Sequence, residues 1–197
     1  MKFIRFIQNS LIGISLVLLV YISLWAAFGD ENNEIRSSLY DISFFAVFLV
    51  MMIRPLADIF YRSRLLRRLV ILRKGFGIFS ASIVVGFLIG NIITPESSYI
   101  NSIFTTRYWS FVNGIVFAHI GDITGLILLI TSNKLSMAVL GKNWKRLQKL
   151  AYVYFYSGGL YEVLALNSKF ALYAMIIVTL TAIVAGIVNF IKRKEDS

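Results

Sequence analysis

Long apolar runs, separated by short polar or basic segments, dominate the pattern of this chain. An α-helix needs about 20 mostly apolar residues to cross a bilayer, and six runs meet or approach that length. They cover residues 10–28, 39–60, 76–94, 110–131, 147–166 and 170–191. Pro55 interrupts the second run, where a proline is tolerated near a helix end or at a packed kink. The pattern predicts six transmembrane helices.

The first apolar run is similar to a secretory signal peptide, because Lys2 and Arg5 precede it and small residues follow. It extends from Leu11 to Phe28, whereas the apolar core of a signal peptide usually has about 7–15 residues. We therefore expect a retained transmembrane helix.

Composition agrees with a membrane protein. Hydrophobic residues make up 58% of the chain and charged residues 15%, against about 45–50% and about 25% in soluble domains. The mean hydropathy is +0.76. These values exclude a soluble globule and predict an all-α integral membrane protein, with residues 1–197 forming a single six-helix transmembrane domain.

The net charge of +10 is concentrated in the segments between alternate apolar runs. One set of loops and termini carries sixteen basic residues, and the other set carries only Arg36, Arg107 and Lys169. Basic residues accumulate on the cytoplasmic side of membrane proteins. The distribution predicts a multi-pass protein of the plasma (inner) membrane with both termini cytoplasmic, and a lipid rather than a nucleic-acid partner.

Cysteine and histidine limit the cofactors. The absence of cysteine excludes disulfides, covalently attached haem and iron–sulfur clusters. His119 is the only histidine, so one chain cannot supply two histidine ligands, although a homo-oligomer could.

Three segments resemble a known family. They are FLVMMIRPLADIF, the arginine-rich RSRLLRRLVILRKGFGIFSAS, and ITSNKLSMAVLGKNWKRLQKLAYVYFYSGGLY, whose Gly-Lys-x-Trp-Lys-x-Leu loop is the most specific. Over residues 40–165 the chain resembles the ferric reductase-like transmembrane domain superfamily, in particular its MsrQ (YedZ) type. The resemblance implies a six-helix membrane subunit that carries haem and passes electrons to a periplasmic methionine sulfoxide reductase.

The chain departs from that family at its haem ligands. The positions that match the family's histidines hold Gln148 and Tyr161 in the fifth run, and Gly86 in the third. A glutamine amide is a poor iron ligand, whereas tyrosinate can bind ferric haem. We therefore expect haem binding by two histidines to be lost and no cofactor to be bound, with haem b or a flavin as alternatives.

Two candidate sites lie inside the predicted helices. His119 and Asp122 are spaced i, i+3, as in a proton relay, half of a metal site, or a histidine hydrogen-bonded within the bundle. In the fifth run a face ending in Glu162 is either a packing seam or a ligand cavity. The residues of that face are Gln148, Tyr152, Phe155, Gly159 and Glu162. Tyr154 points away from Tyr152 and Tyr156 on a helix, so only some of these tyrosines can line a cavity.

The basic residues near the second helix's cytoplasmic end also allow two interpretations. Arg54 and Asp58 are spaced i, i+4 across Pro55, which favours a salt bridge. Alternatively, Arg54 forms a phosphate or lipid-headgroup site with Arg62 and Arg64. The run from Arg62 to Lys74 serves either membrane orientation and anionic-lipid contact or flavin or nucleotide binding.

Three functions follow from the sequence. The first is a membrane subunit related to haem electron-transfer proteins that has lost or altered its haem. The second is an ion- or proton-coupled transporter or channel-like protein that uses His119, Asp122 and Glu162. The third is a non-catalytic partner of another membrane or extracytoplasmic protein. None of these functions makes the chain an enzyme on its own.

Overall fold

The structure is a computed structural model that describes residues 2–29, 32–94, 99–106, 109–111 and 114–195. Within these ranges the regular structure consists of α-helices. In chain order they are α1 (Lys2–Phe28), α2 (Asn33–Ile59), α3 (Arg64–Leu69), α4 (Leu72–Ile93), α5 (Tyr99–Ile103), α6 (Ile115–Thr131), α7 (Lys134–Leu140), α8 (Lys142–Leu147), α9 (Leu150–Leu166) and α10 (Lys169–Glu195).

Four of these helices, α1, α2, α4 and α10, are long and apolar enough to cross a bilayer. A fifth candidate is formed by α6 and α7 together, which are bent by 93° at the break between them. The prediction of an all-α, multi-pass membrane protein is thus confirmed. Helix α9 coincides with the fifth predicted run but has 17 residues, so the count of six spans stays a prediction.

Helix α2 begins earlier than its apolar residues suggest. The predicted run starts at residue 39, whereas the helix starts at Asn33. The side chain of Asn32 accepts a hydrogen bond from the backbone N–H of Glu34 at 2.9 Å, which satisfies one of the unpaired donors at the helix start. The additional turns carry Arg36 into the bundle.

Four helices, α2, α4, α6 and α9, form the centre of the bundle. Helix α4 contacts α2 and α6, and α9 contacts α6 and α2. Helix α1 packs along α4, and α10 packs along α2 and α9. Glycines bring α1 and α4 close together: a Cβ at Gly86 would lie 3.0 Å from Ile22, and one at Gly90 would lie 2.5 Å from the Cβ of Ala26. Small residues at helix interfaces are typical of membrane bundles.

The main apolar core lies between α2, α9 and α10. Its rings include Phe44 and Phe155, stacked with centroids 5.4 Å apart, and Phe155 is fully buried. The cluster comprises Phe44, Val47, Met51, Leu128, Tyr154, Phe155, Ala171, Ala174 and Val178. A Cβ at Gly159 would lie 2.7 Å from the sulfur of Met175, so this glycine permits the close approach of α10 that its position in α9 predicted.

The Gly-Lys-x-Trp loop has a structural role at the end of α6. The indole Nε1 of Trp144 donates a hydrogen bond to the carbonyl oxygen of Thr131 at 3.0 Å, one of the carbonyls that a helix end leaves unpaired. Gly141 has φ 49° and ψ −120°, a conformation that essentially only glycine adopts. The loop thereby fixes α8 against the end of α6.

The predicted salt bridge between Arg54 and Asp58 does not form. The carboxylate of Asp58 instead accepts a hydrogen bond from the side-chain amide of Asn189 at 3.3 Å. This contact joins α2 to α10, because Asn189 lies near the end of α10. Asp58 thus forms a contact between α2 and α10 rather than a salt bridge with Arg54 on its own helix.

Candidate functional site: a polar cavity between four helices

A cavity of about 390 Å³ lies between α2, α4, α6 and α9. It extends from the first turn of α2, at Asn33, to Val47, which is about 21 Å along that helix at 1.5 Å per residue. The other elements meet it at the end of α4 and the start of α6. The charge distribution predicts that this end of the bundle, here called the outer end, faces away from the cytoplasm. The lining residues that carry polar side chains are Asn33, Arg36, Tyr40, Ser43, Asn91, His119, Asp122, Tyr154, Tyr161 and Glu162.

The cavity brings together the three ionisable residues that the sequence singled out. His119 and Asp122 of α6 lie on one of its walls, and Glu162 of α9 lies on another. The Nδ1 atom of His119 is 3.9 Å from an oxygen of Asp122, a distance for an electrostatic pair rather than a short hydrogen bond. The ring of Trp109 packs edge-on against the imidazole, with centroids 6.1 Å apart.

The face of α9 that the sequence predicted is only partly correct. Phe155, Gly159 and Glu162 are buried, and Glu162 exposes 5% of its surface. Tyr152, in contrast, is 44% exposed. Gln148 precedes the helix, because it caps the end of α8. Phe155 and Gly159 face the apolar core, and Glu162 lines the cavity, so this face is a packing seam that reaches the cavity at Glu162.

Two residues of α2 belong to the cavity although the sequence did not single them out. Arg36 and Tyr40 both line it, and both contact the buried ring of Phe87. The guanidinium carbon of Arg36 lies 5.1 Å from that ring's centroid, and the Tyr40 ring stacks on it at 4.9 Å. The Asn-Asn-Glu sequence before Arg36 is a helix-start signal that would have placed Arg36 on α2 rather than in a loop.

The end of the bundle opposite the outer end is here called the inner end. A buried chain of hydroxyl groups lies in the part of the cavity that is nearer to it. The hydroxyl groups of Ser43 and Ser80 are 2.9 Å apart, and Ser80 is 2.9 Å from the phenol oxygen of Tyr154. These bonds join α2, α4 and α9. Tyr154 also belongs to the apolar core, so these hydroxyl groups lie where the cavity meets that core.

The three positions that match the family's haem ligands do not converge on one site. Tyr161 lines the cavity, whereas Gln148 lies outside α9 at the inner end. Gly86 faces α1, since a Cβ there would lie 3.0 Å from Ile22. Among the described residues there is also no group of three histidine, cysteine, aspartate or glutamate side chains that could hold a metal ion. The residues present do not fit a haem held by two axial ligands.

The charged groups of the cavity carry both signs. Arg36 contributes one positive charge, and Asp122 and Glu162 contribute two carboxylates. The cavity thus holds one more carboxyl group than it holds guanidinium groups. A comparison of the chain with family models, curated proteins and solved structures found no match.

Proposed function

We propose that this chain is a proton-coupled membrane transporter whose cavity takes a small, positively charged organic solute from the outer end. One observation carries the proposal: His119, Asp122 and Glu162, which come from two helices, line the same membrane-embedded cavity. Ionisable side chains inside transmembrane segments are costly and usually mark a substrate or proton pathway.

The size of the cavity supports a small organic solute. Sites for such molecules typically enclose about 300–1,000 Å³, and this cavity encloses about 390 Å³. A bare metal ion would need a compact group of ligands, which the described residues do not supply. In this proposal the cavity is open toward the outer end, as in the outward-facing state of an alternating-access cycle.

The charge balance supports a cationic solute. A positively charged group placed between Asp122 and Glu162 would be compensated by the excess carboxylate, while Arg36 would repel it from the α2 side. The rings of Tyr40, Tyr154 and Tyr161 add aromatic surface to the same cavity, and cations bind favourably against aromatic faces.

Proton coupling follows from competition at the carboxylates. A proton and a solute cation neutralise the same negative charge, so binding of one displaces the other. His119, at 3.9 Å from Asp122, is placed to receive a displaced proton and pass it to water. In this proposal Asp122 and Glu162 bind the solute, and His119 is the proton carrier.

The proposal is tested by a thermal-stability screen of the purified chain in detergent with amines, amino acids and quaternary ammonium compounds. A ligand at 100 times its Kd stabilises a protein by about 2.7 kcal/mol, or a shift of roughly 5–10 °C for a domain of this size. Asp122→Asn and Glu162→Gln should abolish the shift. The matched control is Glu34→Gln, which removes an exposed carboxylate at the start of α2.

Two further observations decide the outcome. Binding of a hit should release protons into weakly buffered solution, and proteoliposomes should take the hit up faster when a pH gradient is imposed. The proposal fails if only anions stabilise the chain, or if the variants respond to the cationic hits as the wild type does.

A second proposal concerns ancestry: the chain is a relative of ferric reductase-like subunits that has lost their haem. The ancestry rests on the sequence resemblance alone. The loss of haem is supported by the packing of Gly86 against α1, which leaves no space for a ligand side chain at that matched position. A pyridine haemochrome assay and a visible spectrum of the purified chain should then show no stoichiometric haem. A low-spin Soret band at one haem per chain would contradict it.

A further inference from the structure

A second cavity, of about 280 Å³, lies at the inner end of the bundle. It is formed by the end of α2, by α3 and by the end of α10. Its lining, here called the basic pocket, consists of Arg54, Ala57, Asp58, Tyr61, Arg67, Val70, Asn189 and Lys192. Three of these residues are cations, and only one is an anion.

Contacts within the basic pocket hold Lys192 in place and also engage Asp58, which carries the one carboxylate of the pocket. The ammonium of Lys192 donates a hydrogen bond to the backbone oxygen of Asp58 at 3.3 Å and lies 3.6 Å from the ring centroid of Tyr61. The carboxylate of Asp58 accepts its hydrogen bond from Asn189. Asp58 is therefore engaged by α10 and forms no ion pair with Arg54 or Arg67.

The two arginines come from different helices and remain available. Arg54 lies on α2 and Arg67 on α3, and both line the basic pocket. Within the described part of the chain, neither guanidinium has a hydrogen bond or an ion pair. Both side chains are exposed, so solvent screens their mutual repulsion, and an anion between them would offset what remains. Arginine binds phosphate through paired N–H groups.

The surroundings of the basic pocket are those of a membrane surface. Phe60 is 56% exposed, and Phe190 is 62% exposed. Phe60 caps the end of α2, and Phe190 follows the pocket residue Asn189 directly. A polar cavity beside exposed aromatic rings matches a molecule that has an anionic head and apolar chains.

We propose that the basic pocket is a specific binding site for a phosphate group, held by Arg54 and Arg67 with Lys192. Two sources carry this chemistry, the headgroup of an anionic phospholipid and a soluble phosphate. The exposed residues Phe60 and Phe190, which are next to Tyr61 and Asn189 of the pocket in the sequence, favour the lipid. General attraction of a basic surface to anionic lipids is different, because it depends on total charge and not on these positions.

The test separates position from charge. The full chain, purified in a neutral detergent, is titrated with a short-chain phosphatidylglycerol, with phosphatidylcholine of the same chain length, and with inorganic phosphate, while its melting temperature is followed. The variant Arg54→Gln/Arg67→Gln removes two charges from the pocket. Its control, Arg64→Gln/Arg68→Gln, removes two charges from exposed positions of α3 that do not line the pocket.

We expect phosphatidylglycerol to raise the melting temperature of the wild type and of the control variant, with at least a tenfold weaker apparent affinity for the pocket variant. Stabilisation by inorganic phosphate with the same dependence on Arg54 and Arg67 would identify a soluble phosphate as the source. Equal losses in both double variants, or equal stabilisation by phosphatidylcholine, would overturn the proposal. If the pocket variant does not fold, Arg67→Gln compared with Arg68→Gln makes the same distinction.

Discussion

The close approach of α1 and α4 can be tested with a single methyl group. Replacing Gly90 by alanine would place a Cβ 2.5 Å from the Cβ of Ala26 and 3.0 Å from the backbone oxygen of Ser23. Carbon atoms in contact prefer a separation of about 3.5–4.0 Å. Neither neighbour can rotate away, because one is a Cβ and the other is backbone, so the two helices must move apart.

The expected loss of stability is the difference between two effects. Overpacking a tight interface costs about 1–3 kcal/mol, and more where backbone must move. Alanine in place of glycine stabilises the helix by up to about 1 kcal/mol through its higher helix propensity. We therefore expect Gly90→Ala to destabilise the chain by about 1–2 kcal/mol. Gly77→Ala on the same helix is the matched control, because a Cβ there meets nothing within 4 Å; it should be neutral or stabilising.

The assay is reversible unfolding of the purified chain in mixed micelles, followed by circular dichroism. Adding Ala26→Gly to Gly90→Ala removes the shorter overlap, although a glycine within α1 itself costs up to about 1 kcal/mol of helix propensity. A double-mutant cycle subtracts that cost and should give a favourable coupling energy of about 1 kcal/mol between positions 26 and 90. The reasoning is refuted if Gly90→Ala and Gly77→Ala are equally stable, or if the cycle gives no coupling between positions 26 and 90.

Two further predictions concern topology and the hydroxyl chain. A membrane-impermeant thiol reagent applied to intact cells should label Asn101→Cys but not Lys142→Cys, since the basic loops are expected inside; the reverse pattern would invert the outer and inner ends. Tyr154→Phe breaks the contact with Ser80 and should lower stability by about 0.6–1.7 kcal/mol, the range for membrane hydrogen bonds. Tyr173→Phe, at a 60% exposed position, should be neutral in the same unfolding assay.

The long helices could be predicted because their apolar residues are continuous in sequence. Helices α1 and α10 each cover a predicted run and extend beyond it, whereas α4 begins four residues before its run and ends one residue short of the end of that run. The short helices α3, α7 and α8 could not be predicted in this way. They have too few residues to form alone. Helix α8 also depends on the hydrogen bond between Trp144 and Thr131, which are thirteen positions apart in the sequence.

The candidate site was predictable residue by residue but not as an assembly. His119, Asp122 and Glu162 stand out as ionisable groups in apolar runs, which is a property of each run alone. Their meeting in one cavity depends on which faces of α6 and α9 point inward, and that is decided by the packing of all four central helices. Arg36 was missed because loops are inferred from polarity, whereas its place on α2 depends on the cap at Asn32.

The lengths of the two helices that carry these ionisable groups also affect the surrounding lipid. Helices α6 and α9 have 17 residues each and measure about 26 Å, less than the about 30 Å of a typical hydrocarbon layer. If α6 crosses the bilayer, as the sequence predicts, its exposed residues Ile123 and Ile130 place this short helix against acyl chains. A bilayer accommodates such a mismatch by thinning locally. Asp122 and Glu162 then lie nearer to water than they would in an undistorted membrane, and lipids with shorter chains should stabilise the protein and ease access to its cavity.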